Sequence, residues 1–150
     1  FSLYDKLSAG SKRFGLSYVG QDGKQHDVVA IHRAPLGSHE RFIAFLIEHF
    51  AGAFPLWLSP VQIAVIPISE KHFDYAKKVA EILRAKNFRL EIMDQNETLG
   101  KKIREAEMQK IPYLLILGDK EITAEAISVR QRGKGDLGQM PLEKFIDKIK

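Results

Sequence analysis

From Pro60 onward the apolar residues keep two rhythms in turn. Gln62 to Ile68 is a short run rich in Val and Ile, the pattern of a strand covered on both faces. Ser69 then stands where a helix cap belongs. Phe73, Ala76, Val79, Ala80 and Leu83 recur at three and four residues, with Lys77, Lys78, Glu81 and Arg84 between them. That spacing predicts an amphipathic helix with its charges in water. Phe88, Leu90 and Ile92 alternate as a strand, and Leu99, Ile103 and Ala106 mark a second helix. Tyr113 to Leu117 is a third buried strand. Gly118-Asp119-Lys120 reads as a turn, and Ala126 to Arg132 as a fourth strand. Pro141, favoured in a first helical turn, opens a last helix with Leu142, Phe145, Ile146 and Ile149 inward. Strands alternating with helices predict an α/β fold: a mixed, mostly parallel sheet flanked by helices, the last strand pair adding an antiparallel member.

The first sixty residues are patterned more weakly. Phe1 to Lys12 lacks periodicity, and Ser8 to Ser11 reads as a linker. Phe14, Leu16 and Tyr18 alternate with smaller or polar neighbours, Gln21-Asp22-Gly23-Lys24 is a turn, and Val28 to His32 returns as a second strand. Ala34 to Gly37 breaks the chain, Ser38 caps, and a helix follows from about His39 to Phe50. Phe42, Ile43, Leu46, Ile47 and Phe50 make that helix apolar on more than one face, so it is expected to be largely buried. Ala51 to Pro60 is an apolar connection with two prolines and the only tryptophan, Trp57. The division expected is 1–59 and 60–150.

Composition narrows the function. The chain has 150 residues, 45% hydrophobic and 28% charged, which is globular. It has no cysteine, so disulfide scaffolds, Cys-based zinc fingers and thiol nucleophiles are excluded. No membrane span or secretory leader is legible. A chain beginning at Phe1 is expected to be cut from something longer. Its net charge of +4 fits an anionic partner such as RNA, or a solvated basic surface.

Each candidate for chemistry has a plainer reading beside it. Gly133 to Gly138 matches G-x-G-x-x-G, but only 12 residues follow it. There is no room for the second strand of a dinucleotide-binding unit. With Arg130, Arg132 and Lys134 beside it, this basic glycine-rich loop suits a phosphate backbone better. The five histidines show no metal-ligating spacing, so His32 is either a ligand completed from elsewhere or a structural residue. Ser38 and Arg41 form either a helix cap with a solvated arginine or an anion-binding helix start. Asp94-Gln95-Asn96-Glu97 follows a strand, where α/β folds bind ligands. The amide of Asn96 can pair with a base edge, or the stretch is a turn capping the next helix.

Taken in order, several stretches form a larger pattern. Ile31 to Phe42 resembles motif 3 of the class II aminoacyl-tRNA synthetases, in the form found in the threonyl-tRNA synthetase family. Ala51 to Gln62 resembles the junction of that family's catalytic and anticodon-binding domains. Asn96 to Ala106, Lys110 to Tyr113, Gly118 to Glu121, Val129-Arg130 and Asp136 to Gly138 follow in family order. The resemblance covers about Phe14 to Lys150.

The resemblance implies roles. Asn96, Glu121 and Arg130 match residues that read the threonine anticodon, whose middle and last bases are G and U. Arg132 and Lys134 would contact phosphates. Arg41 matches the arginine that stacks on the ATP adenine, and Ser38 a serine of the same active site. His32 matches one of three ligands of a zinc that selects threonine. The other two zinc ligands, a Cys and a His, and motifs 1 and 2 have no match here. The expectation is therefore a hairpin-and-helix remnant of the catalytic domain followed by a whole anticodon-binding domain. The tRNA anticodon stem-loop is the partner. The full-length parent would be a cytoplasmic homodimer that joins threonine to tRNA with ATP, magnesium and zinc. The 150 residues alone would be inactive and hold none of these cofactors. Phe42, Ile43, Phe45, Ile47, Phe54 and Trp57 would be partly covered by Phe1 to Lys12 or by self-association. The rival is a non-catalytic accessory module that binds RNA or a protein through the same fold.

Overall fold

The computed structural model describes residues 13–28 and 36–149. The chain divides into two compact units, Phe1–Leu46 and Ile47–Lys150. His32, Val29 to Pro35 and Phe1 to Lys12 lie outside the described residues.

In the first unit β1 (Ser17–Val19) pairs antiparallel with β2 (Gln25–Asp27). Gly23 takes φ +71°, which glycine adopts without cost. The turn closes with Gly20 N–H on the Lys24 carbonyl at 2.9 Å. Pairing therefore starts at Gln25, directly after the turn. Of the strand expected over Val28 to His32, only Val28 is among the described residues, and it lies just past β2.

α1 (His39–Phe50) has the predicted bounds but not the predicted burial. None of its residues is buried, and Ile43, Phe45 and Ile47 stay exposed, as does Trp57 in the connection beyond it. An all-round apolar pattern records what a helix is suited to pack against, and burial also requires that packing partner.

The second unit is a three-layer sandwich. It contains β3 (Ile63–Pro67), a 3₁₀ turn (Glu70–His72), α2 (Phe73–Ala85), β4 (Leu90–Ile92) and α3 (Leu99–Met108). β5 (Tyr113–Leu117), α4 (Asp119–Thr123), β6 (Ala126–Gln131), β7 (Gly135–Pro141) and α5 (Leu142–Ile149) complete it. The strand order is β4-β3-β5-β6-β7. β3 runs parallel to β4 and β5, and β6 is antiparallel to both β5 and β7. Four of the five strands thus point one way.

Alternation along the strands splits the core in two. Ile63, Val65, Leu115, Leu117, Ile127 and Val129 meet α2 and α5 through Val79, Leu83, Phe145 and Ile146. Ala64, Ile66 and Leu114 face the other side, where α3 closes with Ala106 and Ile103. Fully burying a side chain such as Phe145 contributes about 1.5–3 kcal/mol.

Two expected loops are corrected. The segment read as a turn at Gly118-Asp119-Lys120 is the start of α4, a helix of five residues, too short to show a period. The glycine-rich segment is a tight turn that runs directly into β7, and Pro141 ends that strand instead of opening the helix. A register shift between Val129 and Arg130 leaves Leu137 out of the pairing, the mark of a β-bulge.

α1, α2 and α3 end alike. One or two residues past each helix the backbone is left-handed yet not glycine: Ala51 (φ 47°), Asn87 (φ 65°) and Lys110 (φ 57°). In each case the next N–H, from Gly52, Phe88 or Ile111, reaches back five residues to a helix carbonyl at 3.0–3.2 Å. This is the Schellman closure.

Candidate nucleic-acid interface

β3 leads into α2 on one face of the sheet, and its neighbour β4 leads into α3 on the other. A crevice must open between the carboxyl ends of two adjacent strands whose connections part in this way. A cavity of about 360 Å³ lies there. Pro67, Ile68, Ser69, Glu70 and Phe73 line it from the β3 side. Asp94 to Glu97 and Lys102 line it from the β4 side. Asn96 is therefore an exposed residue on the rim of a built pocket.

The polar groups around it are set by short-range bonds. Ser69 N–H donates to His72 Nδ1 at 3.1 Å. That leaves the His72 proton on Nε2, 3.1 Å from Asp119 Oδ1. His72 is buried and ties the β3 loop to the start of α4. Glu97 Oε1 takes a bond from Lys101 Nζ at 2.5 Å, which holds the Lys101 ammonium above its usual pKa.

Glu121 occupies the same edge of the sheet, beyond the carboxyl end of β5. Its Oε2 accepts the Gly118 N–H at 3.0 Å, so it serves as the cap of α4. A side chain at Gly118 would collide with Ile68, 2.7 Å from its Cβ. This close approach brings the β3 and β5 loops together.

Arg130 lies elsewhere. It pairs with Leu114 near the amino end of β5 and so points to the α3 face. There its Nε donates to Glu107 Oε1 at 3.2 Å. Arg130, Glu107, Ile111 and Leu114 border a second cavity of about 320 Å³. α3 separates this arginine from Asn96 by its length, about 15 Å at 1.5 Å per residue. The structure thus gathers Asn96 and Glu121 at one edge and sets Arg130 at the far end of the helix between them.

Arg132 is turned inward. Its Nη2 donates to the carbonyls of Ala53 at 3.0 Å and Phe54 at 2.6 Å, and Nη1 to that of Lys110. Burial lowers its pKa. Lys134 stands exposed in the turn before β7.

In the first unit Ser38 Oγ accepts the Arg41 N–H at 3.3 Å, the geometry of a helix cap, and Arg41 is exposed. Among the described residues no group of three His, Cys, Asp or Glu could hold a metal. None of the described helices is long and apolar enough to cross a membrane.

Lys102, buried among these residues, escaped the sequence reading. The signal was present: it lies three residues after Leu99 and four before Ala106, on the apolar face of α3.

Comparison with known proteins agrees with this architecture. The anticodon binding domain family matches residues 62–150. The threonine–tRNA ligase of Carboxydothermus hydrogenoformans is 54% identical over 138 residues, which cover 92% of this chain and 22% of that protein. That of Acidobacterium capsulatum is 58% identical over 134 residues, 89% of this chain and 20% of that protein. The chain thus spans about a fifth of the length of the curated relatives it matches. Among solved structures, the RNA binding domain of threonyl-tRNA synthetase from Cryptosporidium parvum superposes with a TM-score of 0.72 at 36% identity, over 93% of this chain and 35% of that one. A prolyl-tRNA synthetase from the same organism shares the fold, with a TM-score of 0.64 at 22% identity, over 93% of this chain and 30% of that one.

Proposed function

Because the chain belongs to the anticodon binding domain family, we propose that it recognises the anticodon stem-loop of a threonine tRNA. One observation carries the reading: a match of 54–58% identity to threonine–tRNA ligases that runs through this domain. The geometry supports it. A pocket at the switch point of the sheet has Asn96 on its rim, Glu121 lies on the same edge, and Arg130 extends the surface beyond α3. An amide and a guanidinium are the side chains suited to reading base edges. Lys134 would add a phosphate contact.

In this reading the ATP-dependent joining of threonine to tRNA belongs to a longer protein. Arg41, Ser38 and His32 would then be its motif 3 residues, standing by for adenine, active-site and zinc contacts that the 150 residues do not complete alone.

The test is a fluorescence anisotropy titration with labelled anticodon stem-loops. The threonine anticodon should bind more tightly than unrelated anticodons at the same salt concentration. Equal affinity for all would defeat the claim of specificity, and leave the fold as a general RNA- or protein-binding module.

A further inference from the structure

Lys102 is a buried group whose donors are incompletely satisfied among the described residues. It is only 4% exposed. Its ammonium carries three donors, and among the described residues it has a single partner, the Pro67 carbonyl at 3.1 Å. A buried ammonium is costly unless its donors are met. Lys102 lines the 360 Å³ cavity between the β3 and β4 loops, as does Pro67, the residue whose carbonyl its Nζ meets.

The rest of the lining decides what fits. Glu70, Asp94 and Glu97 set three carboxylates against the one ammonium. A phosphate dianion would meet net repulsion there. Pro67, Ile68 and Phe73 supply apolar walls. Glu97 Oε2 is buried and has no hydrogen-bond donor. The volume is at the small end of ligand pockets, which run about 300–1,000 Å³, and suits one ring system. The complement is a flat, neutral heterocycle with a carbonyl oxygen and an N–H.

We propose that this cavity takes one nucleobase of a bound RNA loop, and that Lys102 Nζ donates to a carbonyl oxygen of that base and so determines which base is accepted. The inference rests on the anticodon reading above and adds a residue and a chemical group to it. Asn96 on the rim would meet the same base from outside, whereas Lys102 meets it from beneath.

The experiment uses the 150-residue chain with stem-loops in which one anticodon base at a time lacks a carbonyl oxygen, as in 2-aminopurine for O6 of guanine, and 2-pyrimidinone and 4-pyrimidinone for O4 and O2 of uracil. For one position the loss should weaken binding to the unaltered chain roughly tenfold or more. The Lys102→Met variant should show no more than a twofold difference at that position, with losses elsewhere unchanged. A merely structural Lys102 would weaken every stem-loop alike. Should Lys102→Met fail to fold, the Nζ resonance of Lys102 in the unaltered, ¹⁵N-lysine-labelled chain decides. It should shift with the intact stem-loop, stay put with the carbonyl-deleted one, and stay put with inorganic phosphate. Anticodon preference with no carbonyl dependence linked to Lys102 overturns this inference and leaves the anticodon reading standing. Failure of any stem-loop to bind overturns both. A saturating shift with phosphate alone overturns the nucleobase assignment.

Discussion

Replacing Arg132 by alanine separates two roles for one basic residue. Its guanidinium holds three backbone carbonyls, from Ala53, Phe54 and Lys110, and so fastens the connection before β3 to the end of β6. A hydrogen bond to a charged group is worth about 1.5–3 kcal/mol. Three of them set an upper bound of about 4.5–9 kcal/mol. The side chain is only partly buried, so water replaces much of the loss once the arginine is gone. A net cost of about 2–4 kcal/mol remains. With a urea slope of about 2 kcal/mol per molar, the middle of the usual range, the midpoint should fall by about 1–2 M. Urea titration followed by Trp57 fluorescence and circular dichroism measures it, since Trp57 sits in that connection. Arg132→Lys, with one point charge for a fork, should fall between. The folded Arg132→Ala protein should bind stem-loops with an unchanged salt dependence. Unaltered stability together with a salt slope smaller by about 0.7, the signature of one lost phosphate contact, would refute the clamp and restore Arg132 to the RNA surface.

Other outcomes follow from the same structure. Arg130→Ala should leave stability within about 0.5 kcal/mol, because its pair with Glu107 is 39% and 51% exposed. It should cost about 1–3 kcal/mol in binding to one anticodon base, read by anisotropy. Phe145→Ala should destabilise by about 3–5 kcal/mol in urea unfolding, as Phe145 is wholly buried between the sheet and α5. Tyr75 and Tyr113 both have pKa values above the ordinary 10. Burial is the first cause for each, and Glu125 and Glu121 add to it at Tyr75. Folding therefore favours their protonated forms. That contribution is complete below pH 10 and declines as pH rises above it, by at most about 1.4 kcal/mol per unit for each group. Urea unfolding at pH 9 and pH 11 should show the decline, and Tyr75→Phe with Tyr113→Phe should reduce it.

Legibility in the sequence followed the length and contrast of the signals. β5 was plain because Tyr113 to Leu117 is an unbroken apolar run between Pro112 and Gly118. α2 was plain because thirteen residues carry more than three turns of one period. β7 was hidden because Gly135, Asp136, Gly138 and Pro141 dominate it, and as an edge strand it buries only partly. Its bulge further blurs the alternation. The site was half legible. Asn96 could be located because chemistry collects at strand ends, and that is where the crevice opens. Glu121 as a cap and Arg132 as a clamp could not be inferred, because both depend on backbone groups brought near by the fold. Lys102 left a trace as a charge on an apolar helix face, but its open donors are visible only in three dimensions.

Three of the helix ends made without glycine show how far this sequence is from its own optimum. Ala51, Asn87 and Lys110 each hold a left-handed backbone that an ordinary L-residue resists by about 1–2 kcal/mol, asparagine less than the others. Ala51→Gly would relieve that strain and lose only a methyl group, for a gain of up to about 1 kcal/mol in urea unfolding. At Lys110 the gain is offset, because its Nζ donates to the Ala51 carbonyl. The domain therefore carries unspent stability at the ends of its helices, a margin that could absorb changes at the crevice edge, where α2 and α3 begin and glycine relief is not needed.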